Sequence, residues 1–120
     1  MIIKPMIRSN ICINAHPIGC AKDTFNQIEY VKAQKNKRGI KTLAEGGYAP
    51  KNVLVLGCST GYGLASRIAA AFEYGANTIG VSFEKEPSET RAGTPGAYNN
   101  MAFEKAAKEA AEAEAAAAEE

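Results

Sequence analysis

Val53, Leu54, Val55 and Leu56 make an unbroken apolar run closed by Gly57. A continuous rather than alternating pattern predicts a strand buried on both faces, central in a parallel sheet. Beyond the glycine, Leu64, Ile68, Ala71 and Phe72 recur at spacings of three and four, with small Ala65, Ala69 and Ala70 among them and Gly75 behind. That periodicity predicts a helix from Gly61 to about Tyr74. The stretch from Thr78 to Phe83 is a second β-prone run, so strand, glycine turn, helix and strand follow one another as a βαβ unit.

The flanks are less regular. Met1 to Lys4 and Asn10 to Asn14, the latter alternating around Ile11 and Ile13, predict a small hairpin or an edge strand. Asp23 with Thr24 is the expected N-cap of an amphipathic helix reaching about Gln34, with Phe25, Ile28 and Val31 on its apolar side. Lys35 to Asn52 carries five basic residues among Gly39, Gly46, Gly47 and Pro50, the pattern of an exposed connection with one helical turn at Lys41 to Glu45. Glu84 to Asn100 is polar and long for a connection, and leads to a final helix expected from about Tyr98. From Ala106 the chain is almost wholly Ala and Glu, a strong helix-forming composition without a stripe of large apolar residues, and so a solvated helical tail. The fold class expected is α/β.

At 120 residues the chain has room for one core and not two. Fourteen basic and thirteen acidic residues leave a net charge of +1, too small a field to recruit nucleic acid or an anionic membrane. No apolar stretch approaches the ~20 residues that span a bilayer, and the first residues, Met-Ile-Ile-Lys-Pro, lack the three-part pattern of a secretory signal. A cytoplasmic protein is expected. Cys12, Cys20 and Cys58 are odd in number and have no CxxC spacing, and His16 is the one histidine. Neither a disulfide framework nor a metal site is expected from that set.

The chemistry concentrates in Gly57-Cys58-Ser59-Thr60-Gly61-Tyr62-Gly63, placed where a strand hands over to a helix. A helix N-terminus presents unpaired N–H groups and the positive end of the macrodipole, so a diphosphate binds there if no Cβ blocks it. In this reading Gly57 makes the tight exit, Gly61 admits the phosphates, Gly63 lets the helix pack on the sheet, and Ser59 and Thr60 add hydroxyl donors. Glu84, 21 positions beyond Gly63, is placed to accept from ribose hydroxyls and to repel a 2′-phosphate, which favours NADH over NADPH. Phe83 would flank the adenine, and Lys85 is a neighbouring cation that softens the exclusion. Two other readings remain open. The turn is purely structural, or Gly57-Cys58-Ser59-Thr60-Gly61 is a G-x-S-x-G nucleophile elbow with Ser59 as nucleophile, which requires a histidine after it in the chain. His16 precedes it.

The blocks 1–5, Ala15-His16-Pro17-Ile18-Gly19-Cys20, 57–65, Gly80-Val81-Ser82-Phe83-Glu84 and Gly93-Thr94-Pro95-Gly96-Ala97-Tyr98-Asn99 resemble the N-terminal part of the NADH-dependent trans-2-enoyl-CoA reductases, also described as FabV-type enoyl-acyl-carrier-protein reductases. The resemblance implies a partial Rossmann-like, short-chain-dehydrogenase-like sheet. It also implies hydride reduction of the double bond of an enoyl-CoA or enoyl-ACP in fatty acid synthesis. It assigns Gly57 to Tyr62 to the phosphate and ribose region of NADH, Phe83 and Glu84 to the adenosine end, and to Glu84 the preference for NADH.

The same resemblance puts the catalytic tyrosine and lysine beyond this sequence. The expectation is therefore an NAD(H)-binding portion at 1–105, comprising an N-terminal extension at 1–50 and the βαβ unit at 51–84, followed by the helical tail at 106–120. It would be inactive alone, monomeric, and without nucleic acid or membrane partners. His16 is expected to be a buried, hydrogen-bonded structural residue rather than a proton donor. A noncatalytic nucleotide-binding module whose tail helix engages a partner is the alternative from another class.

Overall fold

The computed structural model describes residues 7–9, 11–12, 15–90 and 92–118. Strands β1 (Ile7–Arg8) and β2 (Ile11–Cys12) pair antiparallel, Ile7 opposite Cys12 and Arg8 opposite Ile11. Ser9 takes the left-handed φ of 60° that so tight a turn requires. This is the expected hairpin, displaced along the chain; the run from Met1 to Lys4 lies outside the described residues.

Helix α1 is Pro17–Arg38, six residues longer at its start than the expected helix from Asp23 (17 against 23). Its N-cap is His16, whose Nδ1 accepts from the Gly19 N–H at 2.8 Å, and proline occupies the first helical position, where a missing N–H costs nothing. Asp23 instead lies inside the helix and accepts from Gln27 Nε2 one turn on, at 3.0 Å. His16 is exposed, so its structural role is the expected one but its burial is not. The helix also runs four residues past the expected Gln34 (38 against 34), so Lys35, Lys37 and Arg38 of the expected basic connection form its last turn, and the connection that follows keeps only Lys41 and Lys51. Its one turn is closed by the N–H groups of Glu45 and Gly47 on the Thr42 carbonyl, and the Leu43 N–H donates to the Tyr74 carbonyl at 3.0 Å.

Strand β3 is Asn52–Leu56, helix α2 is Gly61–Ile68 and strand β4 is Asn77–Val81. The strands run parallel with Leu54 opposite Ile79 and Leu56 opposite Val81, completing the βαβ unit. Between α2 and β4 the helix widens into a π-helical turn, Ala69–Glu73, where the sequence suggested unbroken α-helix; such turns are single local insertions that hydrophobic spacing does not disclose. After a loop, helix α3 runs unbroken over Pro95–Ala118. It begins three residues before the expected Tyr98 because Thr94-Pro95 supplies a helix start, the Thr94 carbonyl accepting from Ala97 N–H at 3.1 Å.

Ile28, Leu64, Ile68 and Phe103 form the core, with Phe25, Val31, Phe72 and Ala106 packed around them. The Phe72 and Phe103 rings meet edge to face at 5.6 Å, and the Arg67 guanidinium lies 4.2 Å over Phe103. All this lies on one side of the sheet. Val55 is buried, while Leu54, Leu56, Ile79 and Val81 are exposed. The strand expected to be covered on both faces and central is therefore covered on one, in a described sheet of two strands. An apolar run reports what could be buried, not what the described residues supply to cover it. None of the described helices is long and apolar enough to cross a membrane.

Candidate functional site

The turn after β3 is fixed at both ends. Gly57 leaves the strand with φ of 76°, a conformation a side chain disfavours, and its N–H donates to the Val81 carbonyl on β4 at 2.7 Å. A Cβ on Gly63 would run into the Gly57 carbonyl oxygen, so this glycine lets the first turn of α2 lie against the strand exit. Gly61 resembles Gly57 rather than Gly63. Its φ is 56°, and no atom stands within 4 Å of where its Cβ would be. It faces open space.

Thr60 is the N-cap of α2, with extended backbone and no side-chain bond to the helix. The Leu64 N–H donates to the Thr60 carbonyl at 3.2 Å. Among the described residues, the N–H groups of Gly61, Tyr62 and Gly63 have no acceptor. These are the orphan donors of a helix start, left without the side-chain cap that usually meets one of them. No acidic residue stands in the first turn, and the positive end of the dipole is therefore uncompensated. Tyr62 is exposed beside it.

Cys58 and Ser59 point the other way. Cys58 is buried, its thiol donating to Asn100 Oδ1 at 3.7 Å and accepting from Arg67 Nη1 at 3.9 Å. Ser59 is buried too, and its Oγ donates to Glu84 Oε1 at 2.5 Å. Asn99 on α3 donates from Nδ2 to the Ser59 carbonyl at 2.9 Å and accepts at Oδ1 from Thr24 on α1 at 3.2 Å. Thr24 is fully buried. A satisfied polar chain thus ties α1, α3 and the glycine turn together, and it was not foreseen from the sequence. The available signal was a threonine on the apolar side of α1, which the hydrophobic pattern passes over.

Glu84 lies three residues past the end of β4 (84 against 81), not at the strand terminus as expected. It is half-buried, and its second oxygen accepts from Thr94 Oγ1. Phe83 beside it is almost fully exposed. Of the expected site residues, the amides at 61–63 are open, Tyr62 and Phe83 are exposed, Ser59 lies behind the amides joined to Glu84, and Cys58 is turned into the interior. The same contacts deny the nucleophile-elbow reading, because Ser59 donates to a carboxylate and His16 is engaged in capping α1. Among the described residues no group of three His, Cys, Asp or Glu side chains is arranged to hold a metal ion.

The donor set fits a dinucleotide. Unpaired amides with no Cβ in front of them suit a diphosphate, and a carboxylate one side chain away suits a sugar diol.

Two relatives and a solved structure place the chain. Trans-2-enoyl-CoA reductase [NADH] of Treponema denticola is 67% identical over 108 residues, which cover 90% of this chain and 26% of the relative. Enoyl-[acyl-carrier-protein] reductase [NADH] of Pseudoalteromonas atlantica is 59% identical over 109 residues, covering 91% and 25%. The crystal structure of the Treponema denticola trans-2-enoyl-CoA reductase in complex with NAD superimposes with a TM-score of 0.78 at 64% identity, over 91% of this chain and 26% of that one. The chain thus spans about a quarter of the length of the curated relatives it matches. The family profile described as the NAD(P)H binding domain of trans-2-enoyl-CoA reductase matches residues 2–89, and the chain belongs to that family.

Proposed function

We propose that this chain binds NADH at the Gly57–Gly63 turn and forms the coenzyme-binding end of an enoyl-thioester reductase. The observation that carries the reading is the set of three unpartnered amides at the start of α2, with open space in front of Gly61. In this reading the N–H groups of Gly61, Tyr62 and Gly63 hold the diphosphate, with the Thr60 hydroxyl beside them. Cys58 contributes backbone alone, since its thiol is turned inward. Glu84 accepts from the adenosine ribose, and exposed Phe83 flanks the adenine. When bound, the nicotinamide coenzyme supplies the hydride that reduces the carbon–carbon double bond of a 2-enoyl thioester. None of the described residues is assigned the proton donation that the developing enolate requires.

The relatives' names supply both thioester carriers, CoA and acyl-carrier protein, and the substrate class proposed is either. The chain is read as a cytoplasmic monomer. Cys20 and Cys58 are free thiols, and burial pushes the Cys20 thiol pKa up, away from reactive thiolate.

Equilibrium titration with NADH, followed by coenzyme fluorescence, tests the core of the reading. Gly61→Val puts a branched side chain in front of the amides and strains a positive φ, and it should weaken binding by about tenfold or more. Unaltered affinity in a folded Gly61→Val chain would remove the turn from the site.

A further inference from the structure

The Glu84 carboxylate is gripped from two sides by hydroxyls on different elements. Ser59 Oγ, on the glycine turn, donates to Oε1 at 2.5 Å, and Thr94 Oγ1, on the residue before α3, donates to Oε2. Gly96 makes the room for this, since a Cβ there would fall on Glu84 Oε1. Thr94 is itself held. Its Oγ1 accepts from the Lys85 N–H at 3.2 Å, and its own N–H donates to the Lys85 carbonyl at 3.0 Å. One residue further in, the Gly93 N–H donates to the Tyr98 hydroxyl at 2.8 Å. The 85–94 segment is therefore closed at its neck, with the acid at the closure.

A free glutamate has several side-chain torsions to fix and turns away from a repelling group at small cost; this one is fixed before any ligand arrives. A carboxylate offers about four acceptor positions, and the two hydroxyls occupy two of them. The remainder can receive a vicinal diol. A phosphate ester in the same place would meet a carboxylate that Ser59, Thr94 and the packing at Gly96 prevent from swinging aside.

We propose that Thr94, with Gly96 beside it, is a positioning residue for coenzyme selectivity: it holds Glu84 toward the ribose hydroxyls of NADH and against the 2′-phosphate of NADPH. The proposal rests on the coenzyme reading above and adds to it two residues on the far side of the loop from the glycine turn.

The test is the ratio of dissociation constants for NADPH and NADH, measured by equilibrium titration on the 120-residue chain and on three variants. Thr94→Val keeps the shape and removes the hydroxyl, and should lower the NADPH-to-NADH ratio by about tenfold, the worth of one hydrogen bond to a charged group. Thr94→Ser restores the hydroxyl and should restore the ratio. Gly96→Ala, whose Cβ would meet both Glu84 Oε1 and Ser59 Cβ, keeps the Thr94 hydroxyl but displaces the carboxylate, and should shift the ratio in the same direction as Thr94→Val. A purely structural Thr94 would weaken both coenzymes in parallel; an unchanged ratio in Thr94→Val, with or without weaker binding, overturns the proposal and leaves the coenzyme reading standing. A parent chain with no affinity for NADH overturns the two together.

Discussion

Glu45 and Glu84 accept hydrogen bonds from similar groups in different surroundings. Glu45 is at the surface, where Oε1 accepts from Lys35 Nζ at 3.1 Å, Thr42 Oγ1 at 2.9 Å and the Thr42 N–H at 3.2 Å. The Lys35 ammonium first, and then the two Thr42 donors, pull its carboxyl pKa from 4.5 down to about 2. Since the folded value lies below the unfolded one, the stability this group contributes is present above about pH 4.5 and is lost as pH falls through about 2. The Glu45 side-chain carboxyl resonance should therefore titrate near pH 2 in the folded chain, and in Lys35→Ala it should titrate closer to its ordinary value. Titration of the parent chain at the ordinary carboxylate position would show that the Lys35 and Thr42 contacts do not persist in solution.

At the scale of elements, helix ends decide more than helix interiors. The interior of α1 was legible because Phe25, Ile28 and Val31 keep helical spacing; its beginning was not, because an imidazole is an uncommon cap and Asp23-Thr24 offers a commoner one six residues on. His16→Ala should cost about 1 kcal/mol in urea unfolding, the ordinary worth of an N-cap, and His16→Asn should recover most of it. Equal midpoints for the parent and the alanine variant would mean that the Gly19 amide is equally well served by water. The glycine turn was legible for the opposite reason. Positive φ at Gly57 and a missing Cβ at Gly63 are backbone demands that few residues satisfy, so the sequence records them directly. The grip of Thr94 on Glu84 spans ten positions (94 against 84) and depends on how a loop folds back, which no local pattern encodes. The π-helical turn escaped for a related reason: inserting it changes hydrogen-bond register by one residue while leaving Ala71 and Phe72 against the core.

For the molecule as a whole, the two faces of the sheet are in different environments. The radius of gyration is 16.1 Å against roughly 14 Å for a compact chain of this length, because the second half of α3 extends as an exposed Ala/Glu helix beyond the core. Alanine sustains that helix by propensity where packing does not. On the covered face, Ile68 is fully buried at 0% exposure, whereas Leu54 on the other face is 62% exposed. Parallel sheets are ordinarily covered on both faces, so the exposed aliphatic face is where the chain departs most from its own hydrophobic pattern. Ile68→Ala should cost about 2–5 kcal/mol, the range for emptying a buried aliphatic site, and Leu54→Lys should stay within about 0.5 kcal/mol, as for other surface changes. Urea unfolding of the two variants separates the cases. If Leu54→Lys lost as much stability as Ile68→Ala, the open face would have to be covered in solution, and the monomeric reading would give way to an association through Leu54, Leu56, Ile79 and Val81. A small loss at Leu54 with a large one at Ile68 would instead locate the stability of this chain among α1, α2 and α3, leaving the sheet as the platform that carries the Gly57–Gly63 turn.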